Sequence, residues 1–400
     1  MAKHFTPAEW AKVHDLVRQQ GTAFGLPERR RDSVVIGSFN IRKLGALSKK
    51  SPGAWQMLEL ICQRFDLLAI QEVQDDLEGL IHLRDSLGSR YGMVASDITG
   101  SYPGQRPAPE RLGFLFRWDI VERTEIASDI TFDRGVVVST LYESRASFRK
   151  AFDKYTKDLA AWEIEKAERK AAGKRAPKKP TPHLPEFLTF IRQPSCASFR
   201  IPGAAGSKPL EFLAVNAHLL YGDYKDERHN EFKALVGWLV DRARQATRMY
   251  HPNIILLGDC NLDFDNPETD RDKIDVDLKA LNKRELRSRK SAKLNFPFLT
   301  RHPIHGEFLR SNARLNQTYD QIGLVIHDPR LPDHGRNAQA GGDPDGFNYD
   351  VFNFVELFST ALHDKPFDEL SKRDRNALIK KFEHDLSDHM PIWIRLPKPS

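Results

Sequence analysis

Carboxylates, carboxamides and two histidines stand at the borders of short apolar runs along this chain. Ser38-Phe39-Asn40 closes one run, and Ile70-Gln71-Glu72 closes a second. Asn216-Ala217-His218 and Gly258-Asp259-Cys260-Asn261 close two more, while Tyr319-Asp320-Gln321-Ile322 and Ser387-Asp388-His389 each open one. The set holds no nucleophilic serine or cysteine and suits metal-assisted hydrolysis. Hard oxygens such as those of Glu72, Asp388 and Asn40 select Mg²⁺ or Mn²⁺ over zinc. A bound ion of that kind polarises a phosphoryl oxygen and steadies the leaving group. Asp259 is placed to orient or deprotonate a water. A histidine can donate to a non-bridging oxygen when a carboxylate holds its ring and raises its pKa.

The elements that position these residues are legible as apolar runs of strand length. They fall at Val34–Phe39, Leu67–Ile70, Leu112–Phe116, Phe212–Val215, Ile254–Leu257, Ile322–Val325 and Pro391–Leu396, and most are rich in Val, Ile, Leu or Phe, as buried strands are. Helices lie between several of them. Ser51-Pro52 supplies a cap and an N1 proline ahead of Trp55, Leu58, Ile61 and Cys62, and Phe232, Leu235, Val236, Leu239 and Val240 form a second stripe. Strands alternating with helices, without a long linker, predict one α/β-type domain. Polar clusters at strand ends are where open α/β sheets place their sites.

Two stretches read as additions. Phe148, Phe152, Tyr155, Leu159 and Trp162 make a helical stripe that runs into a basic tract from Lys166 to Lys179 and breaks at Pro180 and Pro182. The second, Asn282–Lys293, carries six basic residues and one acid. Such runs are usually solvated faces, and contact with nucleic acid is the sharper reading. The expected organisation is an N-terminal helical extension over residues 1–33, then a single domain over 34–400 with a helical and basic insertion at about 145–187.

Bulk properties set the limits. The 400 residues carry a formal charge of +6, which permits a polyanionic partner without demanding one. Cys62, Cys196 and Cys260 are odd in number and widely spaced, so neither a disulfide framework nor a zinc cluster is expected, and a reducing compartment fits best. Thr6-Pro7-Ala8-Glu9 is a capping-box pattern before Trp10, Val13, Leu16 and Val17, which predicts an amphipathic surface helix rather than a secretory leader. No apolar stretch is long enough to span a bilayer, and a cytoplasmic location is expected.

Taken together and in order, the motifs resemble the endonuclease/exonuclease/phosphatase superfamily, the group built on the fold of DNase I. Asn40 in SFNIR, Glu72 in AIQEV, the NxH motif ending at His218, GDxN from Gly258 to Asn261, YDxI from Tyr319 and SDHxP from Ser387 cover the chain from Val34 to Leu396. Two further stretches resemble the DNase I-like branch, namely Glu110–Arg117 and Arg192-Gln193-Pro194. The resemblance implies an α+β fold, a four-layer αββα sandwich with two mixed sheets face to face and helices outside. It implies that Glu110 supports His218 and Asp320 supports His389. Asp259 and Asn261 would flank the attacked phosphorus, Arg192 would grip a substrate phosphate, and Asn40, Glu72 and Asp388 would bind metal. Whether Asp259 or a histidine activates the water stays open.

Each residue has a bland alternative: Glu72 as a solvated turn residue, His218 as a satisfied core histidine, Asp259 as a cap, Asn261 as an Asx-turn. All would have to hold jointly, in family order. The expectation is therefore a Mg²⁺-dependent (or Mn²⁺-dependent) phosphodiesterase acting on nucleic acid, a DNA endonuclease of low sequence specificity. The alternative is a phosphatase or phosphodiesterase acting on a small phosphorylated metabolite or phospholipid headgroup. A scaffold that keeps the fold without activity is a third reading, against which the complete motif set argues.

Overall fold

All seven apolar runs form strands. The structure, a computed structural model, describes residues 4–98, 110–204, 206–221, 224–244, 250–262 and 293–400, with Asp272 and Val276. The basic stretch from Asn282 lies outside the described residues except for Lys293. In chain order the strands are β1 Ser33–Leu44, β2 Leu67–Gln74, β3 Tyr91–Ala95, β4 Glu110–Arg117, β5 Glu122–Asp129 and β6 Ser195–Ile201. They continue with β7 Leu210–His218, β8 Ile254–Asp259, β9 Lys293–Asn295, β10 Asp320–Ile326, β11 Asn348–Val351 and β12 Ile392–Pro397. The helices are α1 Pro7–Gln20, α2 Pro52–Cys62, α3 Glu78–Leu87, α4 Arg134–Glu143, α5 Arg145–Ala171, α6 Lys225–Arg244, α7 Phe354–His363 and α8 Lys372–Asp385.

Two six-stranded sheets result, in the orders β11-β12-β1-β2-β4-β3 and β5-β6-β7-β8-β10-β9. Each has one parallel pair, β1 with β2 and β7 with β8, and antiparallel pairing elsewhere, so both are mixed. The side-chain period of two divides the second sheet cleanly between two cores. Phe212, Ala214, Ile255, Leu257, Ile322 and Leu324 join the core shared with the first sheet, where Phe199 meets Phe114 and Phe116 at ring distances of 5.6 and 5.3 Å. Their neighbours Leu213, Val215, Ile254, Leu256 and Val325 pack instead with the stripe Phe232, Leu235, Val236, Leu239 and Val240 of α6. Residues buried on both faces explain why these strands read as continuous apolar runs.

On the other side α3 lies against β1, β2 and β3, and α1, α2, α7 and α8 join the same core. The capping box of α1 is present, with Thr6 and Glu9 exchanging side-chain and backbone bonds. Its apolar face is buried through Trp10, Val13 and Val17, and Phe5 and Trp10 sit among Phe358 and Phe382. The layering is the four-layer αββα sandwich. The three cysteines are free and buried, and no helix among the described residues is long and apolar enough to cross a membrane.

α4 and α5 stand apart from this packing. They fall between β5 and β6, and Phe148 is the one buried side chain on either. The stripe through Phe152, Tyr155, Leu159 and Trp162 forms a helix as its spacing predicts, but these four side chains stay partly or well exposed.

Candidate active site

Strand direction alone brings the chemical residues to one end of the sandwich. β7 and β8 run parallel and finish at His218 and Asp259, which are register partners. β10 runs antiparallel to β8 and begins at Asp320, the partner of Asp259 on the other side. His218, Asp259 and Asp320 therefore form a row across the end of one sheet. In the other sheet β1 and β2 carry Asn40 and Glu72 near the same end, antiparallel β4 starts at Glu110, and β12 is entered through Asp388 and His389.

Local backbone conformation fits each residue to its place. Gly258 has φ +155°, and a Cβ there would lie 2.0 Å from the Ala217 carbonyl oxygen, so the close approach of β8 to β7 requires glycine. Asn261 takes the left-handed conformation its short polar side chain tolerates, with φ +48°. Its backbone N–H donates to Asp259 Oδ1 at 2.9 Å, and its Nδ2 donates to the Leu219 carbonyl at 2.8 Å. Glu72 also has a positive φ, +58°, where the pairing of β2 with β4 shifts register. A non-glycine residue there costs about 1–3 kcal/mol of strain, which points to a functional constraint on the carboxylate. Lys43, at φ +50° in the facing irregularity of β1, donates its N–H to Glu72 Oε2 at 3.1 Å.

Asp259 is the hub. Its Oδ2 accepts from Asn40 Nδ2 at 3.0 Å and lies 3.6 Å from His218 Nε2 and 3.5 Å from His389 Nε2. Burial works against its ionisation, but the two imidazoles and the Asn261 N–H hold its pKa below the usual carboxylate value. Each histidine turns its other nitrogen to a second carboxylate. His389 Nδ1 is 2.9 Å from Asp320 Oδ2, both groups being buried. Burial opposes charge on the His389 ring, yet Asp259 and Asp320 outweigh it and raise its pKa well above that of a free imidazole. Burial raises the Asp320 carboxyl as well. We place the shared proton on the ring, which two carboxylates face.

The second pair is looser. His218 Nδ1 is 3.4 Å from Glu110 Oε2, and this buried nitrogen makes no hydrogen bond of good geometry. The same Oε2 accepts from Arg192 Nε at 2.7 Å, and Arg192 Nη1 donates to the Leu219 carbonyl at 3.2 Å. Burial again disfavours the Glu110 carboxylate, but His218 and Arg192 hold it down to about 2.

For a cation, Asn40 offers the sharpest fit. Its Oδ1 is buried without a partner, while its Nδ2 reaches Glu72 Oε1 at 3.3 Å as well as Asp259. A buried oxygen without a partner, on a side chain that touches two carboxylates, suits a hard divalent ion. Asp388 is more exposed and lies 3.8 Å from Arg42. Asp259, Asp320 and His389 also place one donor atom each within 4.8 Å of one another, a mixed nitrogen–oxygen set that suits a transition metal better than Mg²⁺. The bond between His389 and Asp320 already engages two of its three members.

Several further residues shape the site, two of them from within the motifs and two without a signal of their own. Asn216 donates to the carbonyls of Ile70 and Gly113 at 3.0 and 2.8 Å and accepts from Gln71 Nε2 at 2.6 Å, tying one sheet to the other beneath the centre. Ser387 Oγ donates to the Asn40 carbonyl at 2.6 Å and accepts from the N–H groups of Arg42 and His389. Lys50 donates to the Leu386 carbonyl at 2.8 Å, and burial brings its pKa down to about 8 despite Asp385, Glu72 and Asp388. Glu231 accepts the N–H groups of Ile191 and Leu220, which neighbour Arg192 and Leu219, and burial pushes it up to about 7. A carboxylate continuing the apolar stripe at Leu235 and Leu239 was its only trace.

No protein-family model matches the chain. Among curated proteins it is similar to a deoxyribonuclease of Thioalkalivibrio sp. (strain K90mix), 27% identical over 241 residues, which are 59% of this chain and 48% of that protein. The chain spans about half the length of this relative. Solved structures similar to it include truncated TDP2 of Caenorhabditis elegans, 13% identical, with a TM-score of 0.45 over 91% of this chain and 98% of that one. An endonuclease/exonuclease/phosphatase family protein of Bacteroides thetaiotaomicron is 13% identical, with a TM-score of 0.41 over 92% and 95%. The human nocturnin catalytic domain with bound sulfate is 12% identical, with a TM-score of 0.43 over 92% and 93%.

Proposed function

We propose that this chain is a divalent-metal-dependent phosphodiesterase of the endonuclease/exonuclease/phosphatase superfamily that hydrolyses nucleic acid, DNA first. One observation carries the reading. Two histidines, each backed by a carboxylate from the opposite sheet, present Nε2 to the same Asp259 oxygen at 3.5 and 3.6 Å. Those distances are too long for hydrogen bonds and leave both nitrogens available to a phosphate.

In this mechanism the phosphate sits between the two rings, with its oxygens on His218 and His389. Asp259, ionised at neutral pH and oriented by Asn40 and Asn261, takes the proton of a water as the water oxygen bonds to phosphorus. The P–O bond to the leaving group breaks, and the protonated His389 supplies the proton that the departing oxygen needs. Arg192 holds a phosphate oxygen and Glu110 keeps His218 oriented. Asn40, Glu72 and Asp388 would hold Mg²⁺ or Mn²⁺, which when bound neutralises charge developing on the phosphoryl group. The deoxyribonuclease relative supports a DNA substrate.

The test is hydrolysis of plasmid DNA, single-stranded RNA and a panel of small phosphate esters with Mg²⁺, Mn²⁺ or EDTA. Metal-dependent cleavage of nucleic acid is the expected result. Phosphate release from a small monoester with inert nucleic acid would move the chain to the phosphatase alternative.

A further inference from the structure

The segment between β5 and β6 concentrates the charge of the whole chain. Residues 134–185 hold thirteen lysines and arginines against six acids, a net +7 beside +6 for all 400 residues. The rest is close to neutral in sum, so this segment carries the net positive charge that favours a polyanion. After α5 the chain doubles back along the helix: Trp162 Nε1 donates to the Pro177 carbonyl at 3.1 Å, and Lys166 and Lys179 lie over the Trp162 ring at 4.4 and 5.9 Å.

A cleft of about 300 Å³ opens where this returning segment meets α5 and Tyr224. Ser147, Lys150, Lys154 and Tyr155 line it from one face of α5, at spacings of three and four residues, and His183 and Tyr224 close the far side. The His183 and Tyr224 rings stack at 4.2 Å and 26°, a flat aromatic surface braced by the bond from His183 to Asp226 at 2.8 Å. Asp158 also lines the cleft and pairs with Lys154 at 3.1 Å, while Lys150 has no acidic partner among the described residues. Two ammonium groups beside a stacked ring pair is the chemistry that recognises a nucleotide, a phosphate on the lysines and a base on the rings. The cleft is also joined to the site along the chain. From His183 the chain is held to α6 by Glu227 at Leu184 and by Glu231 at Ile191, and one residue later it reaches Arg192.

Resting on the phosphodiesterase reading above, we propose that this cleft is a second binding site for the substrate strand, holding a nucleotide remote from the scissile phosphate. It makes polymeric nucleic acid the preferred substrate over small esters.

The experiment compares full-length wild type, Lys150→Ala/Lys154→Ala and the charge-retaining Lys150→Arg/Lys154→Arg on a labelled single-stranded DNA 30-mer and on bis(p-nitrophenyl) phosphate, across a range of KCl. The double alanine variant should lose on the order of tenfold in kcat/KM for the 30-mer, with a log–log salt slope shallower by about 0.7 for the one lost phosphate contact. Its hydrolysis of the small ester should be unchanged, and the arginine variant should track wild type. Wild type active on both substrates, with an alanine variant unchanged in ratio and slope, would overturn this inference alone. Wild type inert toward both would overturn the phosphodiesterase reading on which it rests.

Discussion

The two sides of Asp259 look alike and are built differently. Each presents a histidine backed by a carboxylate, and each pair joins residues from opposite sheets: His389 entering β12 with Asp320 on β10, His218 on β7 with Glu110 on β4. The His389 pair is closed, with a 2.9 Å bond and two buried partners. The His218 pair is open, at 3.4 Å, because Arg192 claims the same Glu110 oxygen at 2.7 Å. One pair is fixed by the fold. The other shares its carboxylate oxygen with Arg192.

The comparison can be broken by removing each pair in turn. His389→Ala should lower kcat on plasmid DNA by about 10²–10⁴, the range lost with a general acid–base group. Asp320→Asn should cost nearly as much, by weakening orientation and charge on the ring, whereas Glu110→Gln should cost far less, because that pair is already loose. Equal losses at Asp320 and Glu110 in steady-state kinetics would abolish the asymmetry. Arg192→Ala should act mainly on KM, raising it about tenfold with a smaller change in kcat, as expected of a group that binds phosphate before and during reaction. A fall in kcat alone would instead place Arg192 in the transition state.

The smallest effect concerns stability. The Glu110 carboxyl is held down to about 2 from an ordinary value of 4.5. Its contribution is therefore complete above pH 4.5 and is lost as pH falls toward 2. At about 1.4 kcal/mol per unit, the upper bound near neutrality is ~3 kcal/mol. Thermal unfolding of wild type and Glu110→Gln should differ most above pH 5, with the gap narrowing below pH 4 and closing only as pH approaches 2. A constant gap across that range would show that Glu110 is not held by Arg192 and His218.

What the sequence made legible follows from how each group does its work. Strands buried on both faces, such as β8 and β10, announce themselves because every position is apolar. β5 does not: its ERTEIASD alternates between partly buried and exposed positions at a sheet edge, and β6 is largely small and polar. Asp259, His218, Asp320 and His389 sat in rigid local motifs, and the fold brings them together. Asn216 was seen as part of a motif, but its bonds go to Ile70 and Gly113, more than 100 residues away, and no local pattern encodes them. Glu231 and Lys50 act on backbone groups of distant loops, so their types carried no hint of their partners. The insertion helix was legible as a helix, but its exposure was not, since a stripe at helical spacing says nothing about what it packs against.

The most direct test of the central claim is nicking of supercoiled plasmid by wild type and His389→Ala, each with Mg²⁺ and with EDTA. The account predicts nicking by wild type in Mg²⁺ alone, with EDTA or the substitution abolishing it. Nicking that survives both, or plasmid left intact by wild type in Mg²⁺ and Mn²⁺ alike, would contradict it.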